Sequence, residues 1–399
     1  MTEKTQTHVL IVGGGFAGVK TALELSKDKN VQVTLLSDRP DFRYYPALYH
    51  TATGGKRAQS SIPLPQILGE RGVNIERGEA KTLDRATKTV TTADGRSFSY
   101  DILVLALGVM TNYFGINGLE EFSYGIKSWE QIQKFKKHIH EEIGNGQNPE
   151  LNYVIVGAGP TGIELAGALP EYLQQVMEQH GVAAAKPHIE IIEAAPRLLP
   201  HSSEKTSAAV AKRLQKLGIE LKLGQTVEGQ TADHLMVSGQ PIASRTVVWT
   251  AGTSNSPFFK ANDFALNEHG KVVVDSSLRS EETIYVLGDN AATPFSGLAQ
   301  IAVRDGEFAA EDIQRRLKGK TPKTYAPAAP ITVIPVGPHW AAVDWKDKSF
   351  VGLIGWWLRS AADWIAFKDL EPWWKATKQW MNEYGADVEE DCPICSRIK

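Results

Sequence analysis

His8-Val9-Leu10-Ile11-Val12-Gly13-Gly14-Gly15-Phe16-Ala17-Gly18 is the stretch that decides the fold of this chain. Its apolar run ends at glycine, the pattern of a buried parallel strand. Gly15 to Ser26 follows with Val19, Leu23 and Leu25 at helical spacing, and Val31 to Leu36 reads as a second strand. Strand, glycine turn, helix and strand make a βαβ unit with a right-handed crossover. Gly13, Gly15 and Gly18 occupy the positions of a G-x-G-x-x-G loop. The first glycine permits the tight turn, the second lets the backbone approach a pyrophosphate, and the third lets helix and strand pack closely. Phe16 and Ala17 open the helix, where unpaired amides and the dipole favour an anion.

The same pattern recurs further along. Tyr153 to Val156 reads as a strand, Thr161 to Glu178 as a helix and Ile189 to Ile192 as a strand. Between the first two lies Gly157-Ala158-Gly159-Pro160-Thr161-Gly162, a second copy of the motif. One nucleotide domain needs one such loop, so two imply two dinucleotides. The residue closing the second strand of each unit is expected on the adenosine ribose. In the second unit this is Glu193, which can accept from both ribose hydroxyls and would repel a 2′-phosphate. The first cation after it is Arg197, so NADH is favoured over NADPH. Glu193 stands 31 positions beyond Gly162 rather than about 20, an excess attributed to a longer helix and loop from Pro170 to Pro187. In the first unit the position is Ser37, followed by Asp38 and Arg39, and the ribose role is shared between Ser37 and Asp38 without a choice.

Several short elements complete the two domains. Val90–Thr92 and Phe98–Tyr100 flank Asp94-Gly95 as a hairpin. Ile102 to Leu107 is a buried strand ended by Gly108, and Val247 to Thr250 repeats that arrangement before Ala251 and Gly252. Ile284 to Leu287 is a last apolar strand, closed by Gly288 and Asp289. The fold class expected is α/β, with two Rossmann-like dinucleotide-binding domains and a C-terminal amphipathic helical segment.

Composition narrows the function. The chain has 399 residues, 42% hydrophobic and 22% charged, the balance of a folded globular protein. A formal charge of −3 gives no reason to expect nucleic acid as a partner. The only cysteines are Cys392 and Cys395, which excludes a disulfide framework and fits a reducing compartment. Cys392-Pro-Ile-Cys395 has metal-knuckle spacing, but tetrahedral zinc needs four ligands, so no metal is expected. The opening Met1-Thr2-Glu3-Lys4 lacks the features of a signal peptide. The best candidate for a membrane span, Ser349 to Leu358, stops at Arg359 after 10 residues, against the roughly 18–20 a bilayer requires.

The early glycine loop together with Thr283-Ile-Tyr-Val-Leu-Gly-Asp289 resembles the FAD domain of the two-dinucleotide, disulfide-reductase-like flavoproteins. The resemblance implies FAD at Gly13–Gly18, Asp289 near the flavin ribitol and pyrophosphate, and an NADH domain inserted within the FAD domain. Finer matches resemble the type II NADH:quinone oxidoreductases. They are Pro46-Ala-Leu-Tyr-His-Thr-Ala-Thr-Gly54, Leu105 to Gly118, Gly157 to Gly167 with Glu164, Val247 to Gly252, and Ala299-Gln300-Ile-Ala302. Together they cover most of residues 8–320. The resemblance implies residues 1–115 and 253–325 as the FAD domain, 116–252 as the NADH domain and 326–399 as a membrane-associating or dimerisation segment. It brings Thr53 and His50 near the isoalloxazine ring, Glu164 to the nicotinamide carboxamide, and Gln300 to a quinone carbonyl or the flavin edge. His50 is also a candidate proton donor to the reduced quinone. Three departures stand out: His50 replaces a glutamate, Arg304 replaces a glutamine near the quinone headgroup, and Ser37 lacks the usual acid. The dithiol that a disulfide reductase needs beside its flavin is absent, since no cysteine precedes Cys392.

Eight of the ten tryptophans fall between Trp340 and Trp380, beyond a proline-rich linker at Thr321 to Pro330. Leu353, Trp356, Trp357, Ser360, Ala361, Trp364 and Phe367 recur at helical spacing, with a second helix after Glu371-Pro372. Arg359, Lys368, Lys375 and Lys378 are expected at the polar boundary of a helix pair lying in a membrane interface. The expected protein is an FAD- and NADH-dependent oxidoreductase that reduces a membrane quinone without pumping protons. It is expected to be homodimeric and peripheral to the cytoplasmic face of the cell membrane. The alternatives are a soluble NADH reductase of another acceptor, or a flavin- and NADH-binding regulator with little turnover.

Overall fold

A computed structural model describes residues 6–144, 150–182, 186–346 and 348–384. The elements that carry the glycine loops and their surroundings are, in chain order, β1 (Thr7–Val12), α1 (Phe16–Leu25), β2 (Val31–Ser37) and β3 (Ile102–Leu105). They continue with β4 (Asn152–Val156), α2 (Pro160–Gln179), β5 (His188–Glu193) and β6 (Thr246–Trp249). Last come α3 (Ala299–Leu317), α4 (Leu353–Leu370) and α5 (Trp373–Tyr384). The chain folds as two compact units. One comprises residues 1–43, 61–110 and 253–330, the other 44–60, 111–252 and 331–399.

The first unit is built on a six-stranded sheet in which β1 lies between β2 and β3, flanked by strands Asn74–Arg77, Ile284–Val286 and Arg279–Glu281. β1 pairs in parallel with both neighbours, so Val9 stands opposite Val33 and Ile102. Val9, Leu10 and Ile11 are fully buried, as a strand covered on both faces requires. α1 packs against α3 at a close approach through Gly306, where a Cβ would stand 2.6 Å from the Ala17 carbonyl oxygen. The expected hairpin is present as Thr89–Thr92 and Ser97–Ser99, with a third strand, Ala80–Asp84, that has no clear alternation to betray it.

The second unit repeats the plan with four parallel strands, ordered Ile219–Leu223, β5, β4, β6. α2 runs unbroken through Pro170 to Gln179, which accounts for part of the long interval to Glu193. Helix α2 also rests on a three-stranded antiparallel sheet formed by Thr332–Pro335, Ala341–Trp345 and Lys348–Gly352. Gly167 makes that approach possible, since a Cβ there would stand 2.5 Å from the Gly337 amide nitrogen. The sheet was not expected from the sequence, where its strands are short and lie next to a tryptophan-rich helical pattern. α4 follows it directly and is seated on it through Gly355, whose Cβ would fall 2.1 Å from the Ala341 carbonyl oxygen.

The C-terminal helices depart from the expected apolar stripe. Ser360 and Phe367 are buried, whereas Leu353 and Trp357 are more than half exposed. Arg359, expected at a polar boundary, is 7% exposed and lies against the body of its unit. The physical reason is a carboxylate one turn on: Asp363 pairs with it and removes the cost of burying a lone charge. Cys392 and Cys395 lie outside the described residues. No helix among the described residues is long and apolar enough to cross a membrane.

Candidate functional site

Each glycine loop has the steric signature of a phosphate cradle. In the first, Gly13 has φ +116° and a Cβ there would stand 2.1 Å from the Ala106 carbonyl oxygen. A Cβ at Gly18 would fall 1.9 Å from the Gly13 carbonyl oxygen, so the third glycine is demanded by packing. At Gly15, by contrast, nothing lies within 4 Å of that position. The second loop is the same: Gly157 and Gly162 are closed in, at 2.8 Å from the Ala251 nitrogen and 2.0 Å from the Gly157 carbonyl oxygen, and Gly159 is open. Open space over the second glycine alone is what a pyrophosphate approaching the backbone needs.

The helices behind the loops reinforce this. α1 starts at Phe16 and α2 at Pro160, each after a glycine N-cap with no side-chain cap and no acid in the first turn. Their first amides and the positive end of the dipole thus face the loop without a competing carboxylate. Pro160 suits the first helical position because it lacks the N–H that would be left unpaired there. Thr161 follows it, half-buried. Phe16 packs edge-on to Phe42, ring centroids 4.9 Å apart, and Ala17 is buried beneath α3. Both loops therefore fit a dinucleotide.

In the first unit, Ser37 ends β2 buried, its Oγ accepting from the Arg39 amide at 3.2 Å. A Cβ at Gly14 would stand 2.7 Å from that Oγ, so Ser37 lies directly against the glycine loop. Asp38 is exposed and Arg39 half-buried, and the two pair with each other at 3.4 Å. Gly108 ends β3 with φ +69° and is held by a residue the sequence reading missed. Asn290 accepts from the Gly108 amide at 3.0 Å and donates to its carbonyl at 2.7 Å. Its position directly after Asp289 was the available signal.

Gly288 donates its amide to Asp305 at 2.9 Å, and Tyr325 donates its hydroxyl to the same carboxylate. Burial, with Asp289 nearby, pushes Asp305 up to about 6. The neighbouring Arg304 donates through Nη1 to the Ala328 carbonyl at 2.6 Å, tying α3 to the proline-rich linker. Asp289 is half-buried, and Lys271, which feels its charge, is held below its ordinary value by burial. Ala299 and Gln300 open α3, with Gln300 exposed.

In the second unit, Glu193 closes β5 and its carboxylate is engaged by the backbone. Oε2 accepts from the Ala158 amide at 2.6 Å and Oε1 from the Ala195 amide at 2.8 Å. Arg197 donates to the carbonyls of Leu199, Pro200 and Ser202 at 2.6–3.1 Å. Ala251 and Gly252 follow β6, where Gly252 adopts φ +79° with the Phe114 ring beside it.

The 44–60 segment belongs to this unit and contains a short helix, Leu48–Ala52. The His50 Nδ1 lies 2.8 Å from the Gln59 Oε1, and burial holds the imidazole below its ordinary value. Thr53 caps that helix, its hydroxyl donating to the Tyr49 carbonyl at 3.0 Å. Glu164, on α2, is 8% exposed, and burial pushes it up to about 8. The charges that act on it are Arg359 and Asp363 of α4, in opposite senses. That pair was legible as an i, i+4 Arg–Asp spacing within an apolar helix, but its burial was not.

Residues 7–306 match the family model described as pyridine nucleotide-disulphide oxidoreductase. A type II NADH:quinone oxidoreductase from Staphylococcus saprophyticus is 28% identical over 355 residues, covering 83% of this chain and 88% of the relative. Its counterpart from Staphylococcus aureus is 28% identical over 368 residues, covering 86% and 91%. Among solved structures, NDH2 from Plasmodium falciparum in complex with NADH superposes with a TM-score of 0.85 at 17% identity, covering 96% of this chain and 100% of that one. The sulfide:quinone oxidoreductase of Aquifex aeolicus gives a TM-score of 0.78 at 22% identity, covering 94% and 92%. With two dinucleotide cradles in one chain and three-quarters of its length matched, the protein belongs to the pyridine nucleotide-disulphide oxidoreductase family.

Proposed function

We propose that this family member is a type II NADH:quinone oxidoreductase, an FAD protein that oxidises NADH and passes two electrons to a membrane quinone without translocating protons. The observation that carries the reading is a likeness to proteins of that name along 83–86% of the chain, in a sequence with no cysteine before Cys392. A family member without an internal thiol needs an acceptor other than a protein disulfide.

In this reading residues 1–115 and 253–325 bind FAD, 116–252 bind NADH and 326–399 meet the membrane or a second subunit. FAD, when bound, supplies the exchange of a hydride equivalent for two electrons. The chain's own residues bind and orient. Gly13 to Gly18 receive the FAD pyrophosphate on the amides of α1, with Ser37, Asp38 and Arg39 at its adenosine end. Gly108, Gly288 and Asp289 line the ribitol and pyrophosphate, Thr53 lies toward the ring, and Ala299 and Gln300 meet the flavin edge. Gly157 to Gly162 receive the NADH pyrophosphate on the amides of α2, Glu193 takes the ribose, and Ala251 and Gly252 pass beneath the nucleotide.

Glu164 contacts the nicotinamide carboxamide, while Gln300, Arg304 and His50 serve the quinone side. The exposed apolar side chains Leu353, Ile354, Trp357 and Ile365 on α4, with Trp373, Trp374 and Met381 on α5, support a peripheral seat at a membrane surface. The proposed surface is the cytoplasmic face of the cell membrane. A homodimer is part of the same proposal.

The test is a two-step mixing experiment on the purified yellow protein. NADH should bleach the visible flavin band, and a short-chain quinone added without oxygen should restore it rapidly. Bleaching without recovery would overturn the acceptor and leave the family standing.

A further inference from the structure

Asp305 is fully buried on α3, and two donors converge on its carboxylate. The Gly288 amide donates to Oδ2 at 2.9 Å, and the Tyr325 hydroxyl donates to Oδ1. Cations on the elements around it are engaged elsewhere. Lys20 of α1 pairs with Glu307 and Glu24, Lys323 with Glu311, and Arg304 donates to the Ala328 carbonyl. A charge at this depth is costly unless hydrogen bonds compensate it. Burial lifts the carboxyl only to about 6, so at neutral pH it is ionised and accepts from both donors.

The two donors belong to different parts of the first unit. Gly288 opens the turn Gly288–Asn290, with φ +64°, and both neighbours of Asp289 in that turn are held. Gly288 is held by Asp305 through its amide and by the Ser296 hydroxyl through its carbonyl, at 3.1 Å. Asn290 is held by the Gly108 backbone. The turn lies against the first cradle, since a Cβ on Gly288 would stand 3.6 Å from the Cβ of Ala17 in the first turn of α1. Tyr325 belongs to the proline-rich linker, which is laid along α3. Its ring packs on Phe308, centroids 5.0 Å apart, and the Lys323 amide donates to Asp312 at 3.3 Å. Arg304 adds its bond to Ala328.

We propose that Asp305 is a positioning residue for the bound flavin, its carboxylate tying the linker, through Tyr325, to the turn that presents Asp289. The linker is then a strap across the back of the FAD site, and the turn keeps its place beside the cradle because the strap does. The inference rests on the assignment of FAD to the first cradle.

The experiment follows flavin release from the loaded protein on dilution, by the rise in flavin fluorescence, in three variants. Asp305→Leu fills the space but offers no acceptor, leaving the Gly288 amide unpaired. Release should be faster by roughly tenfold or more, the scale of one charge-assisted hydrogen bond. Asp305→Asn keeps an acceptor for Gly288 and a polar partner for Tyr325, so release should stay close to that of the wild type. Tyr325→Phe cuts only the strap and should speed release by a smaller factor than Asp305→Leu; it also serves if the leucine variant does not fold. NAD+ affinity, which reports the second glycine loop, should not change in any of them. Flavin retention by Asp305→Leu or Tyr325→Phe equal to the wild type would overturn the proposal. So would Asp305→Asn failing as badly as Asp305→Leu, or NAD+ affinity falling in step with flavin, a sign of general destabilisation. A wild-type protein that binds no flavin would sink the FAD assignment itself, before any variant is compared.

Discussion

The Glu193 carboxylate accepts the backbone amide of Ala158 at 2.6 Å, so the acid that closes β5 is bound to the glycine loop before any ligand arrives. One side chain thereby braces the pyrophosphate cradle and presents an acid where the adenosine ribose is expected. Glu193→Gln keeps one acceptor and loses the charge. Charge-assisted hydrogen bonds contribute about 1.5–3 kcal/mol, so KM for NADH should rise roughly 10- to 100-fold with little change in kcat. NADPH should remain a poor substrate, because Arg197 is already committed to three backbone carbonyls. Steady-state kinetics with both nucleotides checks this, and a variant that gains efficient NADPH use would contradict it.

Asn290 is fully buried and clamps the Gly108 backbone from both sides. Asn290→Leu leaves an amide and a carbonyl without that partner, at about 1–3 kcal/mol for each unsatisfied group. The urea midpoint should fall, and flavin should be released at lower denaturant than in the wild type. An unchanged midpoint would mean that Gly108 finds other partners.

Glu164 is a carboxyl whose folded pKa is raised, to about 8 from 4.5. Its contribution to stability is fully present below pH 4.5 and is lost as pH rises toward 8, because the unfolded chain ionises first. Glu164→Gln removes that loss. The variant should melt higher than the wild type at pH 8–9, with the gap closing toward pH 5. Melting curves at both ends of the range decide it. A gap independent of pH would show that the side chain acts through packing alone.

Trp357 and Ile354 lie 59% and 64% exposed on α4. If that face meets lipid, Trp357→Ser/Ile354→Ser should weaken sedimentation with anionic vesicles by roughly tenfold or more, since burying each such side chain contributes about 1.5–3 kcal/mol. Bleaching of the flavin by NADH in detergent-free buffer should not change. Equal vesicle binding by both proteins would direct attention to a second subunit as the occupant of the face.

Much of the two nucleotide domains was legible locally. The glycine spacings, the apolar runs before them and Glu193 are encoded within a few dozen residues, because a βαβ unit writes its strand, turn and helix consecutively. Ser37 was visible in the same way as a short polar residue in place of an acid. Its closeness to the site of a Gly14 Cβ, 2.7 Å, emerged only when β2 was laid beside the loop.

The tertiary structure alone decided the surroundings. Asn290 reaches Gly108 across 182 positions, and Tyr44 reaches Asp363 across 319. Arg359 could be read as an interfacial cation, since an isolated helix with a few charges scattered among tryptophans has no marked inner face. Burial depends on what packs against that face, and here it is the antiparallel sheet from Thr332 to Gly352 and the segment around Tyr44 and Pro46. The sequence by itself determined which residues can form the two cradles, because hydrogen bonding and sterics there are local. Only the folded chain decided which charges stand around Glu164 and how far water is kept from them, because desolvation is set by neighbours distant in sequence.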